Sequence, residues 1–456
     1  MHSRKLDAEI AMKIDSPFAV AAVGDLIAPQ PLCRQDPRFR ALIDRIASAD
    51  IGFANMESSL IDTPRFGHGA VAGTAAPLSM GEAIKAMGVT MVSRANNHTF
   101  DCGVMGMIAT DSALDRLGII HAGTGLNLQE ARTARYRETP KGRVGLVSFY
   151  SIADTGHFGP TYARTEATAR TGSVGGAPGV NPLHVTGYNV VTQSQLDVLK
   201  DLARSIYGER AGATVPASSG HPERFRFFDQ WYQAGEDVGA IRYEMDAADR
   251  QAIIASVRNG KIYSDFLIAT IHSHQTTRFD PALAFGAVKG MKEAVDHYPA
   301  DFVVELAREC IDSGADMFVT HGVHALAGME IYKGKPIFYG LSNFIFQFGL
   351  QIGPTYDVMV NFEKKSELEN PASHEAVLAT SHFDQGRLTE VRLFPADLGG
   401  ARRPISQMGI PLTPEPALAR DILARFAEYS RPFGTRIAIE DGVGVVRMEA
   451  QHNAEH

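Results

Sequence analysis

Apolar residues in this chain collect into short unbroken runs, separated by stretches in which they recur every three or four positions. The runs Phe18 to Val23, Ile51 to Phe53, Val89 to Val92, Arg143 to Phe149, Phe266 to Ile271 and Asp316 to Val319 lack period-two alternation. Such runs predict strands buried on both faces. Phe39 to Ala47, Met80 to Met87, Met105 to Leu117, Ala247 to Val257 and Phe302 to Ile311 predict helices. Strand and helix therefore alternate up to about Tyr150 and again from Ala247, the order of an α/β protein. Between them, Ser151 to Tyr243 is rich in Gly, Pro, Thr and Ser and is broken by one amphipathic helix, Gln193 to Tyr207. Stretches of this length in a compact protein are lids, binding loops or disordered segments. Beyond Phe346, Ala376 to Phe383 and Leu388 to Leu393 read as strands, and Pro416 to Tyr429 and Gly444 to Met448 as a C-terminal helix and strand.

The informative feature is what the runs end in. The first ends in Gly24-Asp25, the second in Asn55-Met56-Glu57, and the third in Arg94-Ala95-Asn96-Asn97-His98 with Asp101 and Gly103 beyond. The Phe266 run ends in His272-Ser273-His274, and the last in Thr320-His321-Gly322-Val323-His324. Open α/β sheets bind ligands at the carboxyl ends of their strands. Any one cluster is explained by a polar turn. Five strands each delivering a carboxylate, amide or imidazole at that end point instead to a shared site. Histidines i and i+3 in a turn can aim two imidazoles at one centre, as a metal requires.

The order Gly-Asp, Asn-x-Glu, Ala-Asn-Asn-His-x-x-Asp-x-Gly, His, His-x-x-His and then Tyr-x-Gly-Lys-x-Ile-x-Tyr-x-x-x-Asn-Phe resembles the CapA family. These are the poly-gamma-glutamate synthesis proteins, a branch of the calcineurin-like metallophosphoesterase superfamily. The resemblance spans roughly Ile14 to Ile345. It implies a four-layer αββα sandwich of the metallo-dependent phosphatase type around a two-metal centre. On that pattern, residues 14–400 form the domain, 151–243 an insertion, and 401–456 a C-terminal appendage. Asp25 matches a first-metal carboxylate, Glu57 the bridging position and Asn97 a second-metal amide. His272 and His321 resemble second-metal ligands, His324 a first-metal ligand, and His98 the histidine that acts on the leaving group or transition-state oxygen. Two departures weaken phosphoesterase activity. Ile27 stands where a histidine ligand is often found, and the bridging residue is the longer Glu57 rather than an aspartate.

The ligand set contains no thiolate, so hard or borderline divalent ions such as Mn²⁺, Zn²⁺ or Fe²⁺ suit it. Two such ions about 3.5–4 Å apart activate a hydroxide without a serine or cysteine nucleophile. This agrees with the absence of a Gly-x-Ser-x-Gly elbow. The formal net charge of −8 argues against nucleic-acid or anionic-membrane partners. Three cysteines at irregular positions (Cys33, Cys102, Cys310) suit a reducing compartment, with Cys102 read as an apolar filler. Met1 to Asp15 holds no apolar core of signal-peptide or anchor length, so a cytoplasmic location is expected.

Two functions follow. The first is a hydrolase in which a metal-bound hydroxide attacks an amide or ester bond, phosphoester included, of a small carboxylated or gamma-glutamyl-type substrate. The second is a non-catalytic protein of poly-gamma-glutamate handling. The insertion leaves one strand end and returns before the His272 strand, so it is expected to cover the site. Its aromatic cluster around Trp231 has three placements open to it, core by default, dimer contact or substrate wall, and a homo-oligomer stays open. Arg94 has two readings, a buried ion pair with Asp101 or Glu57 and a catalytic-site fork onto a substrate carboxylate or phosphate. His274 is either a third ligand or a support for one. His68 is a solvated loop histidine, and His157, His184 and His221 carry no spacing that marks a site.

Overall fold

The computed structural model describes residues 11–29, 32, 36–62, 74–153, 166–169, 171, 175–208, 221–228, 230–277, 298–347, 371–404 and 407–448. Cys33, His68, His157 and residues 172–174 of the glycine-rich stretch lie outside them. Two large sheets face each other. The first runs in spatial order Ala438–Glu440, Val443–Arg447, Arg387–Asp397, Glu375–Asp384, Phe18–Ile27, Ile51–Met56, Met91–Ser93 and Ile120–Ala122. Its last four strands are parallel. In the second sheet Gly142–Ala153, Phe266–His272, Met317–His321 and Lys335–Leu341 are parallel neighbours.

Period-two alternation assigns each strand residue to one of two faces. Phe18, Val20, Ile51 and Phe53 of the first sheet meet Val144, Phe266, Ile268 and Val319 of the second in the central core. Phe18 and Phe266 bring their ring centroids to 5.3 Å. On the other face of the first sheet, Ala21, Val23, Ala54 and Val92 pack under helices Pro37–Ala47, Leu78–Ala86 and Gly103–Leu117 through Phe39, Leu42, Ile84 and Leu114. On the far face of the second sheet, Phe149, Leu267, Ala269 and Ile271 pack under Ala247–Ile262 and Asp301–Asp312 through Ile253, Val257, Phe302 and Leu306. This is a four-layer αββα sandwich. Burial of both faces is why the site-bearing strands read as unbroken apolar runs.

The C-terminal segment is built into these layers. Ile422, Leu423 and Phe426 of helix Pro416–Ser430 join the central core, and Val443–Arg447 pairs with Arg387–Asp397. In the insertion, Pro182–Val191 continues the second sheet, its start pairing in parallel with Tyr150 to Ala153. Gln230–Ala234 and Ile241–Met245 flank it, and Ile241 N donates to the Thr277 carbonyl at 2.7 Å. The described insertion therefore stands at the carboxyl end of the second sheet. Trp231 is buried there. Alternation was obscured in Pro182–Val191 because Gly187 and Asn189 fall where apolar residues would continue it, so pairing with neighbours made a strand that local pattern did not announce.

At Ser342 the chain leaves the second sheet and enters the first, where Asn343–Phe346 pairs with Phe18–Ile27. Ser342 adopts φ +64°. A Cβ on Gly24 would stand 1.7 Å from the Ser342 carbonyl oxygen, so this crossing needs glycine at position 24.

Candidate metal centre

The predicted residues arrive at one rim of the sandwich. Asp25 and Asn55 are in register in the first sheet, and His272 and His321 are in register as the last residues of their strands in the second. Gly322 and its φ of +109° then turn the chain, and His324, at φ +56°, comes back over the rim. Non-glycine residues in that region are uncommon and cluster at sites the surrounding fold holds in place.

Glu57 is the hub. Its side chain is fully buried, and Oε1 faces three imidazole Nε2 atoms: His272 at 3.7 Å, His98 at 3.8 Å and His324 at 3.9 Å. These are too long for hydrogen bonds. The His272 and His324 separations match two ligands of a shared ion, since metal–ligand bonds of about 2.0–2.2 Å leave ligands roughly 3–4 Å apart. Glu57, His272 and His274 offer ligand atoms all within 4.8 Å of one another, and so do Asp25, Glu57 and His324. Glu57 belongs to both groups. Asp25 lies between His321 Nδ1 at 3.4 Å and His324 Nδ1 at 3.3 Å.

Four buried atoms here have no hydrogen-bond partner among the described residues: Glu57 Oε1, Asn97 Oδ1, and His321 Nδ1 and Nε2. A buried polar atom left unsatisfied costs about 1–3 kcal/mol. Their concentration on one rim, with an all-oxygen-and-nitrogen donor set, fits a divalent cation.

The electrostatics agree. Burial pushes the Asp25 carboxyl up, yet the His321 and His324 imidazoles beside it hold it well below the usual range. Burial, and then the charge of Asp25, push Glu57 up to about 8. Burial and the neighbouring His274 hold His272 well below the ordinary histidine range. Burial, followed by His324 and His98, pushes His274 down to about 3. His272 and His274 therefore keep neutral rings beside Glu57. His98 differs. Burial opposes its charged form, but Asp101 outweighs burial and holds it above the ordinary range. Its Nδ1 is 2.7 Å from Asp101 Oδ2, which also accepts from Thr74 N at 2.8 Å.

The family model for the bacterial capsule synthesis protein PGA_cap matches residues 19–288 and 290–348, the span that carries every one of these groups. The chain belongs to the PGA_cap family. Among its relatives, the uncharacterised protein y4sH of Sinorhizobium fredii is 35% identical over 94% of this chain and 93% of its own length. The PGA biosynthesis protein CapA of Bacillus subtilis is 31% identical over 22% of each chain. The capsule biosynthesis protein CapA of Bacillus anthracis is 40% identical over 12% of this chain and 14% of its own. Similar solved structures include a hypothetical protein from Thermus thermophilus (12% identity, 83% of this chain and 99% of that one, TM-score 0.35). A phosphatase from Mycoplasma pneumoniae is another (10% identity, 84% and 94%, TM-score 0.34).

In this PGA_cap chain Arg94 makes the ion pair that was one of its two readings, and its Nη2 is buried with no hydrogen-bond partner among the described residues. The guanidinium is fully buried, pairs through Nε with Asp111 at 3.2 Å, and donates from one terminal nitrogen to the Met56 carbonyl at 3.1 Å. The ion-pair reading holds with Asp111 as partner, not Asp101 or Glu57. Asp111 was overlooked because it lies in the helix after the turn and approaches Arg94 only when that helix packs back. Asn55, part of the Asn-x-Glu motif, had been given no role of its own. Its Nδ2 donates to Asp25 Oδ1 at 2.8 Å and lies 3.4 Å from Glu57 Oε2 and 3.1 Å from His272 Nδ1. Asn96 donates to its Oδ1 at 3.1 Å. An asparagine inside a wholly buried strand, two residues from Glu57 and so on its face, was the available signal. His184 and His221 lie in ion pairs with Asp249 and Glu166, and with Glu223 and Glu244. Among the described residues, no helix is long and apolar enough to cross a membrane.

Proposed function

We propose that this PGA_cap protein is a metal-dependent hydrolase, with Glu57 shared between two divalent ions. The observation that carries it is Glu57 Oε1, buried without a hydrogen-bond partner and facing three imidazole nitrogens at 3.7–3.9 Å. Asp25, His321 and His324 would hold the first ion's side of the site, with Asn97, His272 and His274 on the other. His321 is drawn to the first side by its approach to Asp25, where family resemblance had put it on the second. When bound, such ions supply Lewis acidity and lower the pKa of water towards about 7.

The chain's own residues do the rest. Asp25 stays ionised between its two imidazoles. Asn55 orients both carboxylates from behind. His98 is held by Asp101 through Nδ1, which leaves Nε2 directed at Glu57 and the substrate side. A charged His98 can donate that proton to a departing oxygen or nitrogen, a contribution of roughly 10²–10⁴ in rate. The substrate class we favour is an ester or amide of a small carboxylated, gamma-glutamyl-type molecule, in keeping with relatives named for PGA and capsule biosynthesis.

Those names also favour the second reading, polymer handling without turnover. One experiment separates the two. Protein loaded with Mn²⁺ or Zn²⁺ is assayed against a nitrophenyl ester, a phosphoester and a gamma-glutamyl amide, beside Glu57→Gln. Metal-dependent turnover lost in Glu57→Gln supports the hydrolase. A metal-loaded protein inert on all three, yet retaining gamma-glutamyl oligomers, supports handling.

A further inference from the structure

His324 is gripped at Nδ1 by two oxygens. Asn343 Oδ1 is 2.7 Å away and Asp25 Oδ2 is 3.3 Å away. Asn343 is fully buried and cannot turn its amide over, because its Nδ2 donates to the Ser373 carbonyl at 3.1 Å. The opposite orientation would set oxygen against oxygen at Ser373 and amide N–H against the ring nitrogen. Facing two acceptors, Nδ1 must be the donor. In a neutral ring the lone pair then falls on Nε2, which lies 3.9 Å from Glu57 Oε1. We propose that Asn343 is the positioning residue that fixes His324 with its proton on Nδ1 and its Nε2 lone pair turned on Glu57.

The placement follows from the crossing between sheets. His324 belongs to the loop after a second-sheet strand, whereas Asn343 is the first residue in the first sheet and stands in register with Asp25. Ser342, at φ +64°, donates from Oγ to the His324 carbonyl at 3.2 Å, and its own carbonyl accepts from Asp25 N at 3.2 Å. Asn343 therefore ties the His324 imidazole to the strand of the first sheet that carries Asp25. Partners of this kind set the tautomer of ligating histidines, and losing one weakens metal binding about 10–100-fold. The consequence for a cation rests on the metal-centre reading, while the tautomer assignment stands without it.

The test is histidine-selective ¹⁵N labelling of the metal-free full chain, with His324 identified by the signal lost in His324→Gln. Long-range ¹H–¹⁵N correlation should show the proton on Nδ1 in the native protein. Asn343→Leu should lose that pattern and bind Zn²⁺ about 10–100-fold more weakly. Asn343→Asp, which keeps an acceptor, should restore the pattern. In a His324→Ala background, Asn343→Leu should weaken Zn²⁺ no further. A native His324 protonated on Nε2 overturns the inference, as does Asn343→Leu with an unaltered pattern. If Asn343→Leu does not fold, Asn343→Asp decides, and an Nε2–H ring there counts against Asn343. Zn²⁺ binding absent from every form, with the Nδ1–H pattern as expected, supports the tautomer assignment and ends the metal reading. Tight Zn²⁺ binding by an Nε2–H ring does the reverse.

Discussion

Two buried charged clusters occupy opposite ends of the second sheet, and they are built differently. At the amino end, Asp316 and Lys261 are each 1% exposed and meet at 2.7 Å. Leu267 N donates to Asp316 Oδ2 at 2.9 Å, Lys335 lies 3.1 Å from Oδ1, and Lys261 also reaches the Asp265 carbonyl at 3.1 Å. That cluster carries its own countercharge. At the carboxyl rim, Asp25 and Glu57 are as deeply buried, yet among the described residues no lysine or arginine pairs with either. Among the described residues they are met by imidazoles, the Asn55 amide and, at Asp25, the Gly322 backbone N–H. Burying charge without permanent compensation is costly. The amino end is finished by the chain itself, whereas the rim offers groups of His, Asp and Glu ligand atoms that could hold a cation. A buried pair that carries its own countercharge is complete in itself, whereas a buried carboxylate with no lysine or arginine beside it is a candidate site.

Glu57→Gln is the hardest test of that contrast. It should lower divalent-metal affinity by more than about 100-fold, beyond the loss typical of an outer-shell partner. It should also raise the melting temperature of metal-free protein, because it removes an uncompensated buried acid. Metal analysis and melting curves check both, and unchanged metal content would break the comparison. His98→Ala comes next. A drop in kcat of roughly 10²–10⁴ with metals retained is expected. Metal loss instead would make His98 a ligand. At the amino end, Asp316→Asn strands Lys261 and should cost about 3–5 kcal/mol in denaturant unfolding, with metal content unchanged. Arg94→Lys keeps charge but loses the fork onto Asp111 and Met56. About 1–3 kcal/mol of stability should go, with KM unaffected. A strong rise in KM would return Arg94 to the substrate side.

The smallest effect is on pH dependence. Glu57 has a folded-state pKa raised to about 8, so its contribution is full below its unfolded value and fades as pH rises through the folded one. His272 and His274 are depressed and act oppositely, but only below the ordinary histidine pKa of about 6.5. Metal-free protein should therefore lose stability between about pH 6.5 and 8. His98, held above its ordinary range, adds to that slope, so the share belonging to Glu57 is the part missing in Glu57→Gln. Saturating Zn²⁺ should abolish the Glu57 share. Identical slopes in the two proteins would mean Glu57 does not titrate there.

Much of this was legible in one dimension. Unbroken apolar runs located the central strands to within a few residues, because a strand covered on both faces has no polar side to show. The order of Asp25, Glu57, Asn97, His98, His272, His321 and His324 at strand ends was legible for the same reason, since a parallel sheet carries all those ends to one rim. Pairings that cross between elements were not legible. Asp111 returns to Arg94 from a helix, Asn55 serves three side chains from two sheets, and Asn343 reaches His324 only because the chain changes sheets at Ser342. Periodicity is set by neighbours one to four residues apart, so the sequence by itself determined which residues stand at the rim. Which of them touch depends on how two sheets stack and where the chain crosses between them. That is a property of contacts among residues up to 297 positions apart, as between Asp25 and Gly322, and only the tertiary structure decided it.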